Sequence, residues 1–541
     1  MTENRTSEQH RPTGGDSTTE PEQHRYVIVG GGPAGIQLSY YLQQAGADYV
    51  TLEREPEPAT FFRHYPRHRR LISLNKVHTH SNDPEIRLRW DWNSLLNDRA
   101  DLHFPHYSSD YFPHADDLVR YLDDFQREHR LGIRFNEAVE RIERLDEADG
   151  GGFLVRTGRG LIRARCVIVA TGWATPYVPQ IDGIEHAIGY ETVDTDPAAF
   201  TNQRVLIIGK GNSAFETASA ILGHAAMVHV ASPRTLQLAW NTKHPGNVRT
   251  HYGAMLDSYQ FKTLHAVLDC VVDVIRPAGD AYEVEISYTH ADGERELLEY
   301  DSVIRCTGFV MDTSVFAPNC RPELAPNGRM PATGPDWQST NVPGLYFAGT
   351  IAQARDFKRA SSAFIDGFRY NLRTLTRLLR EAYGEEPLPY DVLPAEPKEM
   401  TSLVLERLNW SSALWTQFEY LCDALVPDED TGEFRYYQDL PEDYAVDRFG
   451  DCYTVTLRWG RDEYADVFAI ERHPSPDRAA ESAFIHPVVR HYRNGELVAE
   501  RHLLEDLLAE WTRQDRHIAP LHAFFQDELG RSGVPAVSPP V

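Results

Sequence analysis

Tyr26-Val-Ile-Val29 is an unbroken apolar run that ends in three glycines. In the segment that follows, Ile36-Gln-Leu-Ser-Tyr-Tyr-Leu-Gln-Gln-Ala45, apolar residues return with the period of a helix. A second apolar run, Tyr49-Val-Thr-Leu52, ends in Glu53. Runs without polar alternation belong to strands buried on both faces, so the order run, helix, run predicts a parallel β-α-β unit. The pattern recurs as Arg204-Val-Leu-Ile-Ile208, a helical segment through Ala218, and Met227-Val-His-Val-Ala-Ser232. Two such units predict an α/β fold built from two Rossmann-like domains.

The turns inside the two units specify what they bind. In the first, Gly30 makes the tight turn, Gly32 lets backbone approach a pyrophosphate, and Gly35 lets helix and strand pack closely. The phosphates then lie at a helix N-terminus. Glu53 is placed to accept hydrogen bonds from both ribose hydroxyls, which suits FAD or NAD and excludes a 2'-phosphate. In the second, Gly209, Gly211 and Ala214 take the three special positions around Asn212 and Ser213, and the second strand ends in Ser232 and Arg234. A hydroxyl and a guanidinium suit a 2'-phosphate, so this unit is expected to prefer NADPH, with a solvated loop arginine as the other reading of Arg234.

One site of each kind in one chain implies electron transfer between FAD and NADPH. The segments Val167-Ile-Val-Ala-Thr171-Gly172 and Ser302-Val-Ile-Arg-Cys-Thr307-Gly308 are strands ending in Thr-Gly on either side of the second unit, and Gly344-Leu-Tyr-Phe-Ala-Gly349-Thr350 returns the chain to the first. The expected organisation is a disordered tail over 1–24, a discontinuous FAD-binding domain over 25–175 and 310–385, and an NADPH-binding domain over 176–309. Ser361 and the residues after it, including Phe364, should begin a long helix that Gly384 stops, its positive end facing the flavin.

A Pro-rich linker over 385–397 precedes a C-terminal α+β extension over 398–535. An aromatic helix is expected from Val404 to Leu425, an alternating strand over Tyr453–Trp459, and a hairpin over 488–500 turning at Asn494-Gly495. Helices from about Leu503 and Ala519 should cover the hairpin. The aromatic stripe reads as core, with a homo-oligomer surface or a substrate lid as alternatives.

Charge and composition narrow the partners. The chain has 541 residues, 80 acidic against 54 basic, and a net charge of -26, which disfavours nucleic acid and anionic membranes. It carries no apolar stretch near the roughly 20 residues of a membrane span and no signal-like N-terminal run, so a cytoplasmic location is expected. The six cysteines include no Cys-x-x-Cys, which leaves no dithiol and favours buried inert thiols. His473, His486, His491 and His502 lack zinc-ligand spacing with cysteines, so no metal is assigned.

GGGPAG, ATG, GKGNSA and GLYFAG, in that order and at that spacing, resemble the class B flavoprotein monooxygenases, which include amine N-hydroxylases and Baeyer-Villiger enzymes. The resemblance covers roughly residues 25–385. Through TFFRHYPRHRRLISLNK, WDWNSLL, GYETVDTDPAAF, LAWNTKHPGNVR and FIHPVVRHY the chain is more closely similar to the branch of flavoproteins associated with degradation in the endoplasmic reticulum. By this resemblance Asn75 lies beside the isoalloxazine and is the candidate catalytic residue, a turn residue bonding its own backbone being the alternative. The monooxygenase fingerprint Phe-x-Gly-x-x-x-His is not matched: Tyr190 or Glu191 stands in the region of its His, and His186 is displaced.

The resemblance implies an NADPH- and oxygen-dependent enzyme that forms a flavin C4a-(hydro)peroxide and oxygenates a small nucleophile, an amine or amino acid being favoured. An NADPH-flavin reductase or oxidase, and a flavoprotein with a mainly partner-binding role, are the alternatives. Residues 61–80 hold five Lys or Arg and four His with no acid. Three readings of this stretch are open: a phosphate bed including Arg63 and Arg70 with neighbouring Arg54, a pocket for an anionic substrate, or a solvated basic loop.

Overall fold

The computed structural model describes residues 20–532 apart from 174, 261, 461–465, 467 and 468. Most of the expected tail lies outside the described residues, but its last part does not behave as a tail: the first strand already begins at Glu22, because Glu22 to His24 continue the ladder with Ile162 to Ala164. This strand, Glu22–Val29, pairs in parallel with Tyr49–Leu52 on one side and Gly160–Val169 on the other. Ile133–Arg134 extends one edge, Phe153–Thr157 and Val139–Arg144 extend the other, and Leu345–Phe347 returns to pair with Gly160–Val169. The helix Pro33–Gln44 packs on this sheet against the helix Ile365–Ala382.

A second sheet runs in the order Arg295–Tyr300, Ala281–Tyr288, Ala266–Ala278, Met227–Ser232, Arg204–Ile208, Ser302–Arg305, Ile188–Gly189. Its central strands are parallel and carry the helix Asn212–Ile221. The chain enters this unit through Thr175–Pro176 and leaves it through Phe309–Val310, and these two connections pair with each other as an antiparallel ribbon.

The third sheet is antiparallel, in the order Asp391–Leu393, Glu433–Pro441, Leu421–Asp428, Cys452–Trp459, Ile485–Arg493, Glu496–His502. Its hairpin turns at Asn494 and Gly495, both at positive φ, as a type I' turn requires. Three expectations are corrected here. The Pro-rich linker contributes the edge strand Asp391–Leu393. The single helix expected over Val404–Leu425 is a helix Pro397–Trp410, a short helix Ser412–Thr416 and a strand from Leu421: Ser411 is extended and its hydroxyl caps the second helix, accepting from Leu414 N–H at 3.2 Å. No helix starts at Leu503; the Asp506 carboxylate takes the Leu508 and Glu510 N–H groups, and Ala509 has a positive φ that a helix excludes. The helix Ala519–Ser532 is present.

The C-terminal unit is fused to the first domain. Ala413, Tyr420, Leu421 and Leu440 are part of the first domain's hydrophobic core. Beside them a buried ion network crosses the junction: Arg407 binds Asp423 and Asp439, and Asp439 also takes Arg373 of the Ile365–Ala382 helix at 2.7 Å. Ion pairs buried this way fix an orientation more than they add stability.

Candidate functional site

The first glycine turn is shaped around something other than side chains. Gly30 has φ +112°, and a Cβ there would stand 2.7 Å from the Ala170 carbonyl. Gly35 admits no Cβ either, since one would lie 1.9 Å from the Gly30 carbonyl. By contrast, nothing lies within 4 Å of a Cβ built on Gly32, the N-cap residue of the Pro33–Gln44 helix, which has no side-chain cap. A bare helix N-terminus facing open space is an anion site. The second turn repeats this: a Cβ on Gly209 would stand 2.2 Å from the Cys306 carbonyl, and Gly211 is an uncapped N-cap facing open space.

Glu53 lies at the end of its strand with its carboxylate folded under the turn, accepting from Gly31 N–H at 2.6 Å and Glu55 N–H at 3.0 Å. Around the same turn, Gly349 has φ +72° and faces Ala34, while Thr350 donates to the Ala363 carbonyl at 3.0 Å. Thr171 Oγ1, next to Gly30, is buried without a partner, and so, in the segment that bridges to Asp91, is Asn75 Oδ1. Asn75 is otherwise fixed, its Nδ2 donating to the Ser108 carbonyl at 2.7 Å. Gly172 and Gly308 both have positive φ, and the Thr307 hydroxyl donates to the Tyr177 carbonyl at 2.5 Å. A buried, unpartnered Thr171 hydroxyl beside an uncapped helix end suits a flavin nucleotide.

The long helix begins at Ile365 with Phe364 as an N-cap lacking a capping side chain, which corrects the expected start at Ser361. Ser361 instead belongs to the preceding turn, where its N–H donates to Gln417 of the third unit at 3.0 Å. Gln417 also donates to the Ser362 hydroxyl and to Asn371. The C-terminal unit therefore positions this helix end, a role no local sequence signal carries. Asp366 in the first turn is buried, its Oδ1 has no partner, and burial pushes its carboxyl up to about 7.

At the second turn, Arg234 is exposed, and the Ser232 hydroxyl donates to the Arg234 carbonyl. Sequence reasoning missed the cation beneath them: Lys210 donates to both the Ser232 and Arg234 carbonyls at 3.2 Å and pairs with Asp269. It also missed Lys358, whose pKa is lowered by burial and then by nearby Arg234. Ser213 accepts from Thr217 within the helix, and Ala214 is fully buried. Asn212 does not point to a free ligand position; its side chain bonds the Gly246 and Asn247 carbonyls and the Arg249 N–H, pinning the loop 246–249.

The cationic stretch 61–80 forms a wedge between the two nucleotide units. Arg67 gives its N–H to Tyr190 Oη at 2.9 Å and its guanidinium to the Val193 carbonyl, while Tyr65 stacks on Tyr190 at 5.7 Å. Tyr190, the residue standing where the fingerprint has His, donates in turn to Glu216. Arg63 is held by Glu57 at 2.9 Å and the Pro58 carbonyl, Arg69 by Asp116, Arg54 is exposed beside Glu55, and Arg70 is exposed.

A model of the family described as pyridine nucleotide-disulphide oxidoreductase matches residues 27–349. The chain belongs to this family. FAD-dependent oxidoreductase domain-containing protein 2 of Mus musculus is 33% identical over 563 residues, covering 94% of this chain and 84% of that protein. The probable indole-3-pyruvate monooxygenase YUCCA1 of Arabidopsis thaliana is 27% identical over 225 residues, 40% of this chain and 48% of its own length. In fold, a flavin-containing monooxygenase from Stenotrophomonas maltophilia superposes with a TM-score of 0.51 at 23% identity, covering 67% of this chain and 99% of that one. The pyridine nucleotide-disulphide oxidoreductase scaffold is present here without a redox dithiol: all six cysteines are free and buried, and burial raises the thiol pKa at each. Among the described residues no helix is long and apolar enough to cross a membrane.

Two of the cavities among the described residues adjoin the long helix of this flavin-dependent oxidoreductase. One of about 360 Å³ lies against Leu378 and Glu381, at the far end of the long helix. The other, about 170 Å³, lies at the helix start beside Ser361 and Asp366, and is bordered by Trp415 and Trp459 of the C-terminal unit. Only the second adjoins the end of the helix that carries the partial positive charge.

Proposed function

We propose that the protein is an FAD-containing, NADPH-dependent monooxygenase that oxygenates a small nucleophilic substrate, an amine or amino acid. The observation that supports this most is the cavity at the start of the Ile365–Ala382 helix, walled by all three units and lined by indole rings. An oxygenase has to keep water from the reacting flavin edge, and an aromatic wall contributed by a separate unit does so. Bound flavin supplies the redox and oxygen chemistry.

The residues of the chain divide the remaining work. Gly30, Gly32, Gly35 and Glu53 hold the FAD phosphates and ribose; Thr171, Gly172, Gly349 and Thr350 line its turn; and Phe364 begins the helix whose dipole stabilises negative charge on the reduced ring. The turn Gly209 to Ala214 takes the NADPH phosphates on the backbone N–H groups around Gly211, Asn212 and Ser213, with the Asn212 side chain pinning the loop 246–249 beside it. Ser232 and Arg234, with Lys358 near, take its 2'-phosphate. Thr307 and Gly308 line the exit strand between the two sites. Asn75 Oδ1, buried and unpartnered, accepts a hydrogen bond at the flavin edge.

The test is anaerobic reduction of the purified holoprotein by NADPH, followed by rapid mixing with oxygen while the absorbance is recorded. A transient in the near ultraviolet before oxidised flavin returns supports oxygenation. Immediate return of oxidised flavin with stoichiometric peroxide, in the presence of candidate amines, refutes it and leaves a reductase or oxidase.

A further inference from the structure

The cavity at the helix start contains a charge imbalance that the fold does not resolve. Arg89 is 5% exposed and donates from Nη2 to the Leu408 carbonyl at 3.1 Å; its Nε is buried without a partner. Arg249, half-buried and lining the same cavity, has a similar arrangement, with Nη2 donating to the Ile72 carbonyl at 3.1 Å and a buried Nε without a partner. Among the described residues neither guanidinium has a carboxylate within ion-pairing distance. Arg89 lies over the Trp415 ring at 5.1 Å and Arg249 over the Trp92 ring at 5.1 Å. An indole face holds a cation in place without cancelling its charge.

Burial lowers the pKa of both groups, that of Arg89 to about 10, so both remain protonated at neutral pH. A buried charge without a counter-ion is costly, and folds retain one where a ligand completes it. The acid on this wall, Asp366, is pushed up to about 7 by burial, so at neutral pH it carries only part of a charge. The cavity shares no residue with either glycine turn, so the nucleotide phosphates already have other places.

We infer that this cavity is a carboxylate-binding site, in which Arg89 and Arg249 face the carboxylate of a small organic acid whose apolar body lies against Phe418 and the indole rings. The proposal rests on the oxygenase reading for its placement beside the flavin, and it narrows the substrate to an amine that also carries a carboxylate. It assigns Arg89 and Arg249 as specificity-determining residues, and the C-terminal unit as the wall that completes the site.

The experiment is calorimetric titration of the oxidised holoprotein, without NADPH, using benzoate, its neutral isostere benzamide, and inorganic phosphate. Benzoate is expected to bind, with benzamide and phosphate each about 10- to 100-fold weaker, the range expected for loss of a charge-assisted hydrogen bond. Arg249→Gln is expected to weaken benzoate by a similar factor and leave benzamide unchanged. Because Arg89 is buried, Arg89→Lys serves as its variant, with flavin content as the check on folding; it should keep the charge, lose the geometry and bind benzoate more weakly.

Equal binding of benzoate and benzamide, tighter binding of phosphate, or benzoate affinity unmoved by Arg249→Gln would each overturn the site. No turnover is involved, so the two readings fail separately. A protein that binds benzoate and returns oxidised flavin at once keeps the site and loses the oxygenase; the reverse result removes the site alone.

Discussion

Glu216 offers a quantitative check on the junction between the nucleotide units. It lies on the Asn212–Ile221 helix, 4% exposed, and accepts from the hydroxyls of Tyr190 and Tyr252. Burial pushes its carboxyl from 4.5 up to about 7, although both tyrosine hydroxyls pull the other way. The folded protein therefore holds a proton that the unfolded chain has released, and stability must fall as pH rises from about 4.5 through about 7. The difference of about 2.5 units corresponds to roughly 3 kcal/mol at pH 8, as an order of magnitude.

Glu216→Gln removes the ionisation and keeps an acceptor for both tyrosines. Thermal unfolding of the holoprotein, wild type against variant, at pH 5 and pH 8 reads the effect. Near pH 5 the two should melt together; at pH 8 the variant should melt higher by about 10 °C, since 1 kcal/mol moves a unit of this size by a few degrees. A separation that is the same at both pH values, or a variant less stable at pH 8, would refute the assignment of a buried, strained carboxylate at this junction.

Three further outcomes are expected. Gly30→Ala places a methyl group 2.7 Å from the Ala170 carbonyl at a φ of +112°, and should abolish FAD retention, read as the flavin-to-protein ratio after gel filtration. Arg234→Ala should raise the KM for NADPH about tenfold with little change for NADH, as loss of one exposed charge-assisted contact predicts; equal loss for both would show that Arg234 does not read the 2'-phosphate. Asp439→Asn leaves Arg407 and Arg373 without their shared carboxylate and should destabilise the junction by about 3–5 kcal/mol, seen as a lower melting temperature and earlier proteolysis between the first and third units.

The parts of this molecule that are readable in the sequence are those whose cause is local. The glycine turns at 30–35 and 209–214 declare themselves because the chain cannot turn that sharply, or approach a phosphate that closely, with other residues. The Asn494-Gly495 hairpin is legible for the same reason: both residues tolerate positive φ. What was misread depends on partners far along the chain. Asp391–Leu393 looks like linker because it lies among prolines, and becomes a strand through its ladder to Phe434–Tyr436. The helix expected through Leu425 stops because Ser411 is extended, though periodicity continues past it.

The same holds for the site. Arg249 stood in a quoted motif and Arg89 beside one, but that one is half-buried and the other buried, each with a buried Nε lacking a partner, follows from the walls around them. The basic run 61–80 gave three open readings because composition does not reveal which cations find acids. In the fold Arg63 and Arg69 do, and Arg67 binds across the domain junction instead.

The ribbon formed by Thr175–Pro176 and Phe309–Val310 has a mechanical consequence. A single linker would let the nucleotide unit swivel freely, whereas two strands bonded edge to edge act as a strap hinge: they bend across their flat face and resist twisting, which would break their shared bonds. Phe309 of this strap packs against Tyr65 at 4.9 Å, and Tyr65 stacks on Tyr190 of the unit beyond it. Bending the strap would therefore have to part the Tyr65 ring from Phe309 and Tyr190, so the same contacts that orient the unit also oppose its swing.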